Sequence, residues 1–166
     1  MNKFANFMRL MENNWPSACE TLLPLFPRLG KISTCVETYI SQLMKEQGLL
    51  SSDFELITAI RRAKKQAPFE VMPTELCNYM LFSWGGLAKI MKRLEEKGII
   101  TRVNSCHDKR IHMIRLTQLG QQITEQAATE LQRFHQALLI GFTAQEIELL
   151  DKLLEKLLDN VESQQQ

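Results

Sequence analysis

A chain of 166 residues with 45% hydrophobic and 23% charged side chains has the size and composition of one domain with a real core, extended by helices. Its apolar runs all fall short of the roughly 20 residues that a membrane span needs, which excludes a transmembrane protein. The net charge of +1 conceals a split: residues 61–115 hold 12 Lys and Arg against 5 Asp and Glu, while the remainder holds 8 against 14. A basic centre between acidic flanks fits a nucleic-acid surface, with chance clustering on a solvated surface as the alternative.

In chain order, residues 1–26 are the least legible. The sequence offers no signal peptide there, so an ordinary cytoplasmic chain with reduced thiols is expected. Trp15-Pro16-Ser17 opens a short helix with Ser17 to Leu23 as its body, punctuated by Pro24 and Pro27. From Pro27 to Gln47, Leu29, Ile32, Val36, Ile40 and Leu43 recur at spacings of 3 and 4, the stripe of a long amphipathic helix ended by Gly48. Ser52 and Glu55 stand at capping-box spacing, predicting a helix from there to about Lys65, with Phe54, Ile57 and Ile60 on its apolar side. The basic run Arg61, Arg62, Lys64 and Lys65 at its end reads as a solvated face favoured by the helix dipole. A connector with one short strand at Phe69 to Val71 leads to a short helix over 74–80.

Ser83 to Thr117 organises the rest. Leu87, Met91 and Leu94 share one helical face, with Trp84 and Ile90 at its margins, while Gly85, Ala88, Lys89 and Lys92 share the opposite one. Ser83 is the expected N-cap and Lys97-Gly98 the C-terminal signature. Two β-type runs, Ile99 to Val103 and Arg110 to Leu116, flank the polar turn N-S-C-H-D-K. A helix with an apolar back and a basic front, followed by a hairpin with a basic tip, is the layout of a winged helix on DNA. Gly85 and Gly86 would let backbone amides approach a phosphate, or else simply give the turn its plasticity.

Beyond the hairpin, Thr117 caps a helix carrying Ile123, Ala127, Leu131, Phe134 and Leu138 at helical spacing, interrupted by Gly141. Thr143 to Glu146 is a capping box for a last helix with Ile147, Leu150, Leu154, Leu157 and Val161 as a seam, widened by Leu149, Leu153 and Leu158. Three long apolar-faced terminal helices exceed what a small domain needs for its own core. A homodimer built from Ile32, Val36, Leu131 and the 147–161 seam is the expectation, against a larger monomeric bundle. The division expected is residues 1–48 as N-terminal segment and dimerisation helix, 49–117 as DNA-binding lobe and 118–166 as C-terminal dimerisation helices, in one compact domain per chain.

The cysteines at 19, 35, 77 and 106 form no C-x-x-C pair and have no histidine at ligand spacing, so no structural zinc and no cofactor is expected. Cys35 and Cys77 read as small core residues. Cys106 has His107, Lys109 and Arg110 beside it, and positive neighbours favour a thiolate. Cys106 is therefore a candidate redox position, with an incidental thiol as the alternative. His107, His112 and His135 make no metal or catalytic constellation, and no nucleophile–base pair, phosphate loop or G-x-S-x-G context is present, so an enzyme is not expected.

L-S-S-D-F-E-L-I-T-A-I-R-R-A, M-P-T-E-L-C, S-W-G-G-L-A-K-I-M-K-R-L-E-E-K-G-I-I and D-K-R-I-H-M-I-R-L-T-Q-L-G, in that order, resemble the MarR family of bacterial transcriptional regulators over roughly residues 27–160. The resemblance implies a mainly α fold with a small antiparallel β wing, a dimeric winged helix-turn-helix with long terminal dimerisation helices. It also implies binding to pseudo-palindromic double-stranded DNA and release by a small phenolic or anionic effector or by oxidation, with Cys19, near the start of the N-terminal helices, as a second candidate redox position because some members carry a peroxide-sensing cysteine there. Position by position, Asp108 and Arg110 match the wing-tip D-x-R pair, Arg110 reaching the minor groove. Ser83 to Lys92 match the recognition half. Ser83, Gly85, Gly86, Ala88, Lys89, Lys92, Arg93, Asp108, Lys109 and Arg110 are thus the expected DNA-contacting set.

The chain departs from the family pattern at Trp84, at Ala88-Lys89-Ile90, where a polar trio is common, at Met72 and at His112. Fewer polar groups for base edges leave open a second reading, a winged-helix protein-interaction module with weak or no DNA binding. For effector sensing the expected place is a pocket between the helix ending near Gln47, the 52–65 helix and the DNA-binding lobe.

Overall fold

A computed structural model describes residues 3–20, 23–79, 86–104 and 112–164. Its helices are α1 (Lys3–Asn14), α2 (Pro16–Cys19), α3 (Leu25–Glu46), α4 (Ser51–Arg62), α5 (Leu87–Glu96), α6 (Gln118–Leu138) and α7 (Ala144–Ser163). The strands are β1 (Glu70–Val71), β2 (Ile100–Asn104) and β3 (His112–Leu116), and a 3-10 turn covers Leu76–Tyr79. The chain forms two compact units, one ending at Glu125 and the other beginning at Gln126. This is the expected class: mainly α, with one small antiparallel sheet.

In the first unit the core is built on α4, α5 and the sheet. Leu56, Ile57 and Ile60 of α4, Leu94 of α5, and Ile100, Ile114 and Leu116 of the strands are all fully or almost fully buried. The sheet order is β1-β3-β2, with Val71 opposite Ile114 and Ile100 opposite Leu116. Ile114 and Leu116, two residues apart on one face of β3, point to the core; His112 shares that face but stands opposite Asn104 at the open end of the hairpin and stays exposed. Glu70 of β1 ties the sheet's edge. It accepts from Lys64 Nζ at 3.0 Å and from Arg115 Nε at 2.8 Å. Partial burial pushes the Glu70 carboxyl up, but hydrogen bonds and charge from Lys64 and Arg115 outweigh it and hold the group below its usual range.

The start of α6 is locked to the hairpin. Thr117 donates through its amide to the Ile99 carbonyl at 3.0 Å, and its Oγ1 accepts from the Gly120 amide at 3.0 Å, the expected cap. A Cβ on Gly120 would stand 2.1 Å from the Ile99 carbonyl oxygen, so only glycine lets the helix approach this closely. In the second unit, α7 opens as its capping box indicated. Glu146 accepts from the Thr143 amide at 2.8 Å and donates its own amide to Thr143 Oγ1 at 3.2 Å.

Several expectations need correction. The N-terminal segment holds a full helix, α1, in which Phe4 sits 6.2 Å from Phe7 and under the Arg28 guanidinium; the helix after Trp15 is only Pro16–Cys19. The cap of α4 is shifted: Asp53, not Glu55, reaches back, its Oδ2 accepting from the Leu50 amide at 2.8 Å. The 74–80 helix is the 3-10 turn Leu76–Tyr79. Cys35, read as a core residue, is exposed on α3, because the apolar stripe of that helix runs beside it. The basic run that begins in the last turn of α4 is not simply solvated: Arg61 pairs with Glu125 and lies 4.1 Å over the Phe69 ring, and Arg62 donates to the Tyr79 carbonyl.

Candidate nucleic-acid interface

The apolar residues of α5 recur at 87, 90, 91 and 94, one face of a helix, and all four are buried. What remains outward is Ala88, Lys89, Lys92 and Glu96, each exposed. The face is therefore small near its start, cationic at Lys89 and Lys92, and acidic at its end. Lys92 Nζ has Glu96 Oε1 at 3.9 Å, an exposed i,i+4 pair that contributes little and leaves the lysine able to exchange partners.

Ser83, the expected N-cap, lies outside the described residues, and the helix α5 begins at Leu87. Its N-cap is Gly86 at φ +94°, a left-handed backbone setting that only glycine takes without strain and that cannot belong to the first turn. Gly86 thus lies just outside α5 rather than within it, and its carbonyl accepts from the Ile90 amide at 3.0 Å. At the other end Gly98 stands at φ +66°, with the Gly98 and Ile99 amides donating to the Glu95 and Leu94 carbonyls at 2.9 Å. That closure turns the chain directly into β2, so helix and hairpin are set by one short joint.

Of the expected DNA-contacting residues, α5 brings Ala88, Lys89 and Lys92 together on one exposed face, with Gly86 at its edge. Ser83, Gly85, Asp108, Lys109 and Arg110, and with them Trp84, Cys106 and His107, lie outside the described residues. Arg93 differs from the expectation. Its Nε and Nη2 are directed at Asp53 Oδ1, at 3.0 and 2.5 Å, and the carboxylate is fully buried. Sequence reasoning missed this partner because Asp53 reads locally as a first-turn acid; its link to Arg93 spans 40 residues.

Beside the start of α5, a depression of about 360 Å³ opens between Pro73, Thr74, Gly86, Leu87, Ala88 and Met91. This is not the place expected for an effector pocket, which lay toward the end of α3 and α4. Cys19 is half-buried, and Cys35 is exposed. Among the described residues no group of His, Cys, Asp or Glu could hold a metal ion, and no helix is long and apolar enough to cross a membrane.

No family model matches the chain. It is 28% identical over 114 residues to the uncharacterized HTH-type transcriptional regulator YdgJ of Bacillus subtilis, a match spanning 69% of this chain and 66% of that protein. With the multiple antibiotic resistance protein MarR of Escherichia coli it shares 27% identity over 138 residues, 82% of this chain and 92% of the relative. The crystal structure of a mutant E. coli MarR complexed with operator DNA superposes with a TM-score of 0.65 at 27% identity, covering 82% of this chain and 94% of that one. These similarities support membership of the MarR family of winged-helix transcriptional regulators.

Proposed function

We propose that this MarR-type chain is a non-enzymatic, cytoplasmic, dimeric DNA-binding repressor that reads a pseudo-palindromic operator with α5 and its wing. The observation that carries the reading is the two-sided helix: Leu87, Ile90, Met91 and Leu94 buried behind Ala88, Lys89 and Lys92 exposed, in a chain similar to a MarR that has been seen on operator DNA. Cations on an exposed helix face neutralise phosphates, and a lysine one turn nearer the groove floor can meet the acceptor edge of guanine. Lys89 takes the base-edge role and Lys92 the phosphate role. Arg110 enters a narrow minor groove, where the potential is most negative, and Asp108 orients the wing. Gly86, together with Ser83 and Gly85, lets backbone amides come close to a phosphate.

Dimerisation rests on the face that α7 leaves uncovered. The helix buries no residue of its own, and Leu149, Leu153 and Leu158 are 59%, 57% and 56% exposed. Ile32 of α3 is 55% exposed as well. Patches of this kind mark an interface. A second copy across the Ile147, Leu150, Leu154, Leu157 and Val161 seam would cover the leucines of α7. Release by a small phenolic or anionic ligand is the regulatory part of the reading.

Alanine variants test the division of labour, with binding to operator and scrambled duplexes measured over a salt series. Lys92→Ala should weaken all duplexes alike and lower the salt slope by about one unit. Lys89→Ala should relax base preference at one position per half-site. Arg110→Ala should cost operator binding about 1–3 kcal/mol with the dimer intact. If none of the three changes binding, α5 and the wing are not the contact surface. The winged-helix protein-interaction module then takes over, a reading favoured by the sparse polar content of the Ala88-Lys89-Ile90 stretch.

A further inference from the structure

Two kinds of contact hold α5 against α4, and they do different work. The burial of Leu87, Ile90, Met91 and Leu94 supplies adhesion, but apolar contact is non-directional and tolerates small rotations of a helix about its axis. The ion pair between Arg93 and Asp53 does not. Asp53 is fully buried in the first turn of α4, and both of its oxygens are engaged. Oδ2 accepts from the Leu50 amide at 2.8 Å and from Arg93 Nε at 3.2 Å; Oδ1 accepts from Arg93 Nε at 3.0 Å and from Nη2 at 2.5 Å. Arg93 Nη2 also stands 3.4 Å from Ser52 Oγ. A planar guanidinium meeting a carboxylate in this way fixes an angle as well as a distance. A buried carboxylate cannot give up that partner without a large desolvation cost. The carboxylate is itself anchored to the end of α4 by the Leu50 amide, so the pair sets the rotation of α5 relative to α4. Arg93 lies four residues after Lys89 and one after Lys92 on the same helix, so any rotation it permits is passed directly to them.

We infer that Asp53 and Arg93 are positioning residues that set how Lys89 meets the base edges, and so govern operator selectivity rather than general affinity for DNA. The inference rests on the reading of α5 as the DNA-contacting helix. It also reassigns Arg93 from the expected DNA-contacting set to a strut.

The test uses Asp53→Asn and Arg93→Lys in the full-length protein, with thermal melts to confirm folding. The asparagine keeps an acceptor for the Leu50 amide, and the lysine keeps the charge but loses the planar fork. Operator and scrambled duplexes are titrated over a salt series. Each variant should lower the operator-to-scrambled ratio at least tenfold while the salt slope on scrambled duplex stays that of the wild type. The combined variant should be no worse than the worse single change, as expected for one shared interaction. An unchanged ratio in the folded variants overturns the inference. So does a salt slope lowered by about one unit in Arg93→Ala with Asp53→Asn harmless, since that is the behaviour of a phosphate contact. If neither conservative variant folds, the pair holds up the domain itself and the selectivity role is wrong. Failure of the wild-type protein to bind any duplex would remove the underlying reading as well, whereas wild-type binding with indifferent variants removes only this inference.

Discussion

At the scale of single residues, the contacts that decide the site are those with no room to adjust. Gly120 is the sharpest case. The Ile99 carbonyl that an added Cβ would strike also accepts from the Thr117 amide and, at 3.1 Å, from Thr117 Oγ1, so it cannot retreat without losing both. Overpacking against backbone costs at least the usual 1–3 kcal/mol, so Gly120→Ala should destabilise the protein by about 2–3 kcal/mol in urea denaturation followed by circular dichroism. A change within about 0.5 kcal/mol, the range of an indifferent surface substitution, would mean that the joint between hairpin and α6 is looser than it stands here. The same locality explains what could be read from sequence. Thr117 as a cap and Gly98 as a helix end depend on neighbours within a few residues, and both are found as read. The partner of Arg93 depends on a residue 40 positions away, and no local pattern announces it.

Among the elements, the long helices were legible because each carries one apolar stripe and a local start signal. α3, α6 and α7 follow the 3-and-4 spacing, and the Thr143–Glu146 box opens α7 as written. α1 also carries such a stripe, Phe4, Phe7, Met8 and Met11, preceded in the sequence by Asn2, a residue type that favours helix starts, so this helix too was legible. The start of α4 was misplaced for the opposite reason: Ser52 and Glu55 fit the capping pattern, but the buried Asp53 takes the role because Arg93 draws it inward. The α7 box makes a pH prediction. The Thr143 amide, then its hydroxyl, hold the Glu146 carboxyl below its usual value, so the cap's contribution is complete above the ordinary glutamate pKa and is lost as pH falls through the lowered one. Between about pH 6 and pH 3, which brackets that ordinary value, the melting temperature of the wild type should fall further than that of Glu146→Gln. Parallel curves would show that the box adds no stability.

For the whole molecule, the split of charge read from the sequence overstated what is available to a partner. Arg61, Lys64, Arg93, Arg102 and Arg115, all in the basic centre, are paired with Glu125, Glu70, Asp53, Glu95 and Glu70. Internal pairing is invisible to a count of charges; on the outer face of α5 it leaves Lys89 and Lys92 exposed, the latter in a weak surface pair with Glu96. Two such faces, at a fixed separation, require a second copy. Because Leu154 is 39% exposed and Leu157 is half-buried within one chain, Leu154→Asp with Leu157→Asp should leave a folded chain that sediments as a monomer. A compact dimer that keeps operator binding would move the interface elsewhere. The account as a whole stands on one titration: wild-type protein against an operator selected from genomic fragments and against scrambled duplex, by fluorescence anisotropy from low to high salt. It predicts two chains per operator, affinity that falls linearly in log–log with salt, and an operator preference of about a thousandfold or more. Salt-independent binding, or none to any duplex, would contradict it.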